Sequence, residues 1–121
     1  MATLRGNFRK GKPSDPLRCA ILISGSGSGM QAMLEYQKQK KECNHRTVVV
    51  ISNNPKAGGI EIAEKLGIPV EVVGLPEIED KLERRLNHES NIEAILGKFD
   101  VELIILSGYM RLLSAEFVNK W

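Results

Sequence analysis

Strand-like runs of apolar and β-branched residues recur along the chain at 19–23, 47–51, 70–73 and 101–106. Between them the apolar positions return every three or four residues. Cys19 to Ile23 and Thr47 to Ile51 are nearly continuous, the pattern of strands covered on both faces. From Met30 to Lys41, the residues Met30, Met33, Leu34 and Gln37 fall on one helical face, with Glu35, Lys38, Lys40 and Lys41 outside. Ile60, Ala63, Glu64 and Leu66 make a short helix stopped by Gly67, and Leu82, Leu86, Ile92, Ile95, Leu96 and Phe99 recur at helical spacing from Lys81 to Lys98. The order β-α-β-α-β-α-β predicts an α/β fold: a doubly wound, Rossmann-like parallel sheet with right-handed crossovers and helices on both faces. Ligands of such sheets bind beyond the carboxyl ends of the strands, which singles out the loops 24–29, 52–59, 74–80 and 107–113.

At 121 residues, 42% hydrophobic and 26% charged, the chain has the size and balance of one globular domain. No apolar run approaches the ~18 residues of a membrane span. Residues 1–17 hold no apolar leader segment, so a cytoplasmic protein without membrane contact is expected. The formal charge of +2 is uneven, since Arg5, Arg9, Lys10 and Lys12 stand against Asp15 alone within residues 1–17. Mixed with Gly and Pro, these charges read as a flexible basic arm, solvated rather than bound to nucleic acid, ahead of one folded unit over 18–121. Cys19, Cys43, His45 and His88 show no metal-ligand spacing, so reduced thiols and no metal are expected.

The first strand ends in Ser24-Gly25-Ser26-Gly27-Ser28-Gly29, followed at once by a helix former. A glycine-rich turn there leaves main-chain amides unpaired at the positive end of the helix dipole, where an anion satisfies them. Ser26 and Ser28 add hydroxyl donors. The motif is not a P-loop, because no lysine follows before Lys38. It is a poor dinucleotide fingerprint as well, with Met30 at the third glycine position and Asn53, not an acid, ending the next strand. Nor is it a nucleophile elbow, which needs serine where Gly27 stands. After the last strand, Ser107-Gly108 permits a sharp turn, and Tyr109, Met110, Leu112 and Leu113 offer an apolar wall around Arg111. Such a wall suits a flat heteroaromatic ligand, and equally the entry into a helix.

Together these loops resemble a family. Ser24 to Ala32 is similar to the S-G-x-G-S-N-L-Q-A signature of phosphoribosylglycinamide formyltransferases, and Ile51-Ser52-Asn53 resembles their next strand end. Ser107 to Ser114 resembles their A-G-F-M-R-I-L-S segment, with Phe117 to Trp121 matching the helix after it, so the likeness runs over residues 18–121. The resemblance implies formyl transfer from 10-formyltetrahydrofolate, as cosubstrate and without a metal, to the amine of glycinamide ribonucleotide in purine synthesis. It implies that Gly27, Ser28 and Gly29 hold the ribonucleotide phosphate. Arg85, Met110, Arg111, Leu112 and Leu113 would then form the folate side, with Met110 also near the glycinamide.

Two departures accompany the likeness. Gly29 stands where the family has asparagine, a lost donor worth on the order of 1 kcal/mol. The family's N-I-H-P strand and later aspartate have no counterpart, so no catalytic residue is expected within the chain, which reads as the amino-terminal portion of a formyltransferase domain with little activity by itself. An open sheet edge and an exposed face on the last helix are expected in consequence, inviting a complementing fragment or a homo-oligomer. The alternatives are a non-catalytic module binding a nucleotide phosphate and, less well matched, an NAD-binding Rossmann domain.

Overall fold

The computed structural model describes residues 2–5, 10–111 and 113–121. Strand β1 spans Ala2–Arg5, β2 Leu17–Ile23, helix α1 Ser28–Gln39, β3 His45–Ser52, α2 Gly58–Lys65, β4 Val70–Val72, α3 Lys81–Lys98, β5 Leu103–Leu106 and α4 Ala115–Lys120. The five strands form one sheet in the order β1-β5-β2-β3-β4. β5, β2, β3 and β4 are mutually parallel, as the alternation of strands and helices predicts. The chain winds outward from β2 through β3 to β4, then returns through α3 to place β5 on the other side of β2. The strand order therefore reverses between β2 and β5, the position at which such sheets open a crevice.

Side chains of β2 divide by parity between two cores. Cys19, Ile21 and Ile23 join Met30, Leu34, Val50, Ala57 and Ala63 under α1 and α2. Ala20 and Leu22 join Val49, Ile51, Ile92, Leu96 and Phe117 under α3 and α4. An extra residue in β3, Val48, shifts the register opposite Cys19 and Ala20. At the foot of β5, Asp100 takes φ 52, and Arg18 secures that turn: its Nη2 lies 3.1 Å from Asp100 and 3.2 Å from Glu102, while Nε donates to the Asp100 carbonyl at 2.7 Å.

Three expectations are corrected. Residues 2–5, assigned to a flexible arm over 1–17, form β1, pairing antiparallel with β5 from Ala2 opposite Leu106 to Arg5 opposite Leu103. β1 thereby covers the outer edge of β5, and the sheet ends at β1 and β4. On α3, Leu82 (62% exposed) and Leu86 face outward, and the buried stripe is His88, Glu89, Ile92 and Leu96, so two polar residues occupy inward positions. On α4, Phe117 is buried and Trp121 packs on the same core, leaving Val118 exposed. No helix among the described residues is long and apolar enough to cross a membrane.

Burial pushes the Cys19 thiol up to about 11. An unfolded thiol ionises near 9, so between these values the folded chain holds a proton that the unfolded chain has lost, and stability falls as pH rises. Urea unfolding from pH 8 to 11 should show a loss of about 2 kcal/mol that is missing from the pH slope of Cys19→Ala.

Candidate functional site

The turn from β2 into α1 is built from glycine for steric reasons. Gly27 has φ +73, and a Cβ on it would lie 2.7 Å from the Gly59 Cα and 2.9 Å from the Met30 Cε. A Cβ on Gly59 would in turn meet Ile23 Cδ1 at 2.6 Å and the Gly27 Cα at 3.1 Å. The first turn of α2 is therefore in backbone contact with the turn before α1, and the Gly59 amide donates to the Gly25 carbonyl at 3.0 Å. Helix α1 begins at Ser28 with Gly27 as its cap, so no side chain accepts from its first amides. Among the described residues nothing accepts from the amides of Ser28 or Gly29. The other helices are treated differently: α3 and α4 are capped by Asp80 and Ser114, and α2, α3 and α4 carry Glu61, Glu83 and Glu116 in their first turns, where α1 has no acid. The positive end of α1 is left for a charge from outside the helix.

That end opens on a cavity of about 410 Å³ between the carboxyl ends of β2 and β5, lined by the turn from Ser24 to Gly29 and by Ser107, Gly108 and Met110. Gly27, Ser28, Gly29 and Met110, singled out from separate segments, are brought together here. Ser24 joins the two walls, its Oγ accepting from the Met110 amide at 2.8 Å. Gly108, at φ +67, turns the chain between them. Met110 is 78% exposed, leaving its thioether free to cover a ligand.

Arg85 and Arg111 meet in a second cleft of about 150 Å³, with Leu75, Lys81, Arg84 and His88. Consecutive residues of one loop, Met110 and Arg111, thus serve adjacent cavities. Leu113 lines neither; it packs on the core beneath α3 and supports the loop from below. Leu112 lies outside the described residues. The far end of the loop is held by Glu89, whose two oxygens accept from the Ser114 amide and Ser114 Oγ, each at 2.6 Å, while Ser114 Oγ accepts from Phe117 N.

Burial raises the Tyr109 phenol to about 12, partly countered by Arg111 and reinforced by Glu89, so this side chain stays neutral. His88 Nε2 donates to the Val73 carbonyl at 2.9 Å, tying α3 to the end of β4. Cys43 Sγ lies 3.7 Å from both ring nitrogens of His45, but this pair precedes or opens β3, at the opposite end of the sheet from the cavity. Gln37, oriented by Thr47, donates to His45 Nδ1, and burial, then Lys40, lowers the imidazole's affinity for a proton. No group of three or more potential metal ligands occurs among the described residues. Sequence reasoning overlooked Ser24, Gly59, Lys81, Arg84, Glu89 and Ser114 as parts of the site. Ser24 and Ser114 stood at the ends of the two family-like segments without a role, and Glu89 left a trace as a carboxylate three residues before Ile92 on the inward stripe of α3.

Residues 17–121 match the family model described as formyl transferase. The chain is 38% identical over 120 residues to the trifunctional purine biosynthetic protein adenosine-3 of Bos taurus, covering 98% of this chain and 11% of that protein. It is 32% identical over 113 residues to the phosphoribosylglycinamide formyltransferase of Saccharomyces cerevisiae, covering 85% of this chain and 53% of that one. Among solved structures, the phosphoribosylglycinamide formyltransferase of Brucella melitensis superposes with a TM-score of 0.74 at 36% identity, over 86% of this chain and 52% of that one. The chain therefore spans about half the length of these two single-function relatives and about a tenth of the trifunctional one.

The contact between Gly27 and Gly59 sets a stability test. Gly27→Ala places a methyl against backbone in a left-handed conformation and should cost about 2–4 kcal/mol in urea unfolding. Gly25→Ala, whose Cβ would meet nothing within 4 Å, should cost less than about 1 kcal/mol.

Proposed function

The chain belongs to the formyl transferase family, and from that membership we propose that its glycine cavity receives the phosphate of glycinamide ribonucleotide and its cationic cleft the anionic end of 10-formyltetrahydrofolate. The observation that carries this reading is the start of α1: the amides of Ser28 and Gly29 have no acceptor among the described residues, no acid stands in the first turn, and both residues line the cavity. A phosphate dianion completes such an end by charge-assisted hydrogen bonds. Ser28 adds its hydroxyl to the same oxygens.

Met110 lies across the cavity from this phosphate seat, over the path of the glycinamide, and Arg111 and Arg85 pair with the glutamyl carboxylates of the folate. In formyl transfer the ribonucleotide amine adds to the formyl carbon, and the tetrahedral intermediate expels the folate nitrogen. The walls of the glycine cavity offer amides, hydroxyls and a thioether, none of which is a base for an amine at neutral pH. These residues bind and orient the two substrates, and the proton transfers fall to groups outside them. The end of β3 argues against a dinucleotide, since Asn53 stands where a ribose would need a carboxylate.

Calorimetric titration separates the possibilities. Heat is expected with glycinamide ribonucleotide and with a folate analogue, and none with NAD. Binding of the ribonucleotide alone would leave a phosphate-binding module without a folate site, and binding of NAD alone would overturn the reading. Gly29 is absent from the positive-φ glycines, so Gly29→Asn should be accommodated and should tighten ribonucleotide binding about fivefold through one added donor.

A further inference from the structure

Glu89 is 5% exposed, yet among the described residues no cation pairs with it. A carboxylate on the inward stripe of a helix is costly to desolvate unless both oxygens are satisfied. Here both are, and by a single residue, Ser114, through its amide and hydroxyl at 2.6 Å. A glutamine would hold Ser114 more weakly, because both bonds lose the carboxylate's charge and its NH2 must meet Ser114 Oγ as a donor, reversing that bond. The clamp closes the loop that begins at Ser107. Four residues before Ser114, the Met110 amide is held by Ser24 Oγ at 2.8 Å, so Arg111 hangs between two pins, one from the residue after β2 and one from α3.

Arg111 needs such restraint. The cleft it lines also contains Lys81, Arg84 and Arg85, and without a bound anion these like charges push it outward. Arg111 is itself exposed, with no described partner to hold it. We propose that Glu89 is a positioning residue for anion binding: by clamping Ser114 it keeps Arg111 in the cationic cleft, and so sets affinity for the carboxylates of the folate cosubstrate. This rests on the assignment of that cleft to the folate. The neighbouring His88 performs a separate task, fastening the same turn of α3 to Val73.

Binding of a folate analogue with intact glutamyl carboxylates, and of glycinamide ribonucleotide, is measured by calorimetry on the full chain and on Glu89→Gln, Ser114→Ala, Ser114→Thr and Arg111→Ala. Glu89→Gln and Ser114→Ala should each weaken the folate analogue about tenfold and leave the ribonucleotide within about twofold, whereas Ser114→Thr, which keeps the hydroxyl, should stay near the parent. In an Arg111→Ala background Glu89→Gln should have no further effect, since the route to the ligand has been removed. Equal loss of both ligands, unchanged folate binding in Glu89→Gln, or a tenfold loss that persists without Arg111 would each overturn the positioning role. Failure of the unsubstituted chain to bind the folate analogue would instead remove the assignment of the cleft, and this role with it.

Discussion

Gly27 and Gly59 touch through their backbones at the end of β2, where a Cβ on either would come within 3.1 Å of the other's Cα. The rest of the site depends on that approach. With the first turn of α2 seated against the turn before α1, the Gly25 carbonyl is taken up by the Gly59 amide. The amides at the start of α1 are left without an acceptor among the described residues and beside an opening. A larger residue would separate the two helices over Ile23 and re-aim the donors. Glycine is used here for closeness as much as for its positive φ.

Precision at the other wall comes from hydrogen bonds to rigid elements rather than from the loop's own conformation. Ser24 follows directly on the central strand and Glu89 belongs to an 18-residue helix, and between them they hold Met110 and Ser114. The Ser24 bond also makes the two walls of the glycine cavity one unit, so a shift in either is felt by the other. Polar residues on the inward stripe of α3 have the same logic. His88 and Glu89 give up hydrophobic burial, and what they hold in exchange is the geometry of two loops, at Val73 and Ser114.

The two cavities differ in how they present positive charge. The glycine cavity uses main-chain amides and the end of a helix, with no cationic side chain among the described residues of its walls. The neighbouring cleft uses whole charges on long side chains, Lys81, Arg84, Arg85 and Arg111. Fixed dipoles suit a compact phosphate in one position, while flexible cations suit carboxylates on an extended ligand. The glycine cavity lies at the reversal of strand order, between the ends of β2 and β5, and the cleft lies beside it between α3 and the segments after β4 and β5.

Much of this was legible in residue order. The runs at Cys19 to Ile23 and Thr47 to Ile51, the helix from Lys81 to Lys98 and the glycine turn at Gly25 to Gly29 are local patterns. Local periodicity and backbone freedom sufficed to predict a parallel sheet and an anion-binding turn. The short β1 was not legible, because Ala2 to Arg5 becomes a strand only by pairing with β5, about a hundred residues away. Leu82 and Leu86 misled because helical spacing says which residues share a face, not which face meets the core. The partnership of Gly27 with Gly59, of Ser24 with Met110 and of Glu89 with Ser114 joins segments 25 to 86 residues apart. The sequence by itself determined the central strands, the helices and the glycine turn after the first of them; the tertiary structure alone decided which described amides stay free and where Arg111 stands, because those depend on contacts between distant segments that no local pattern encodes.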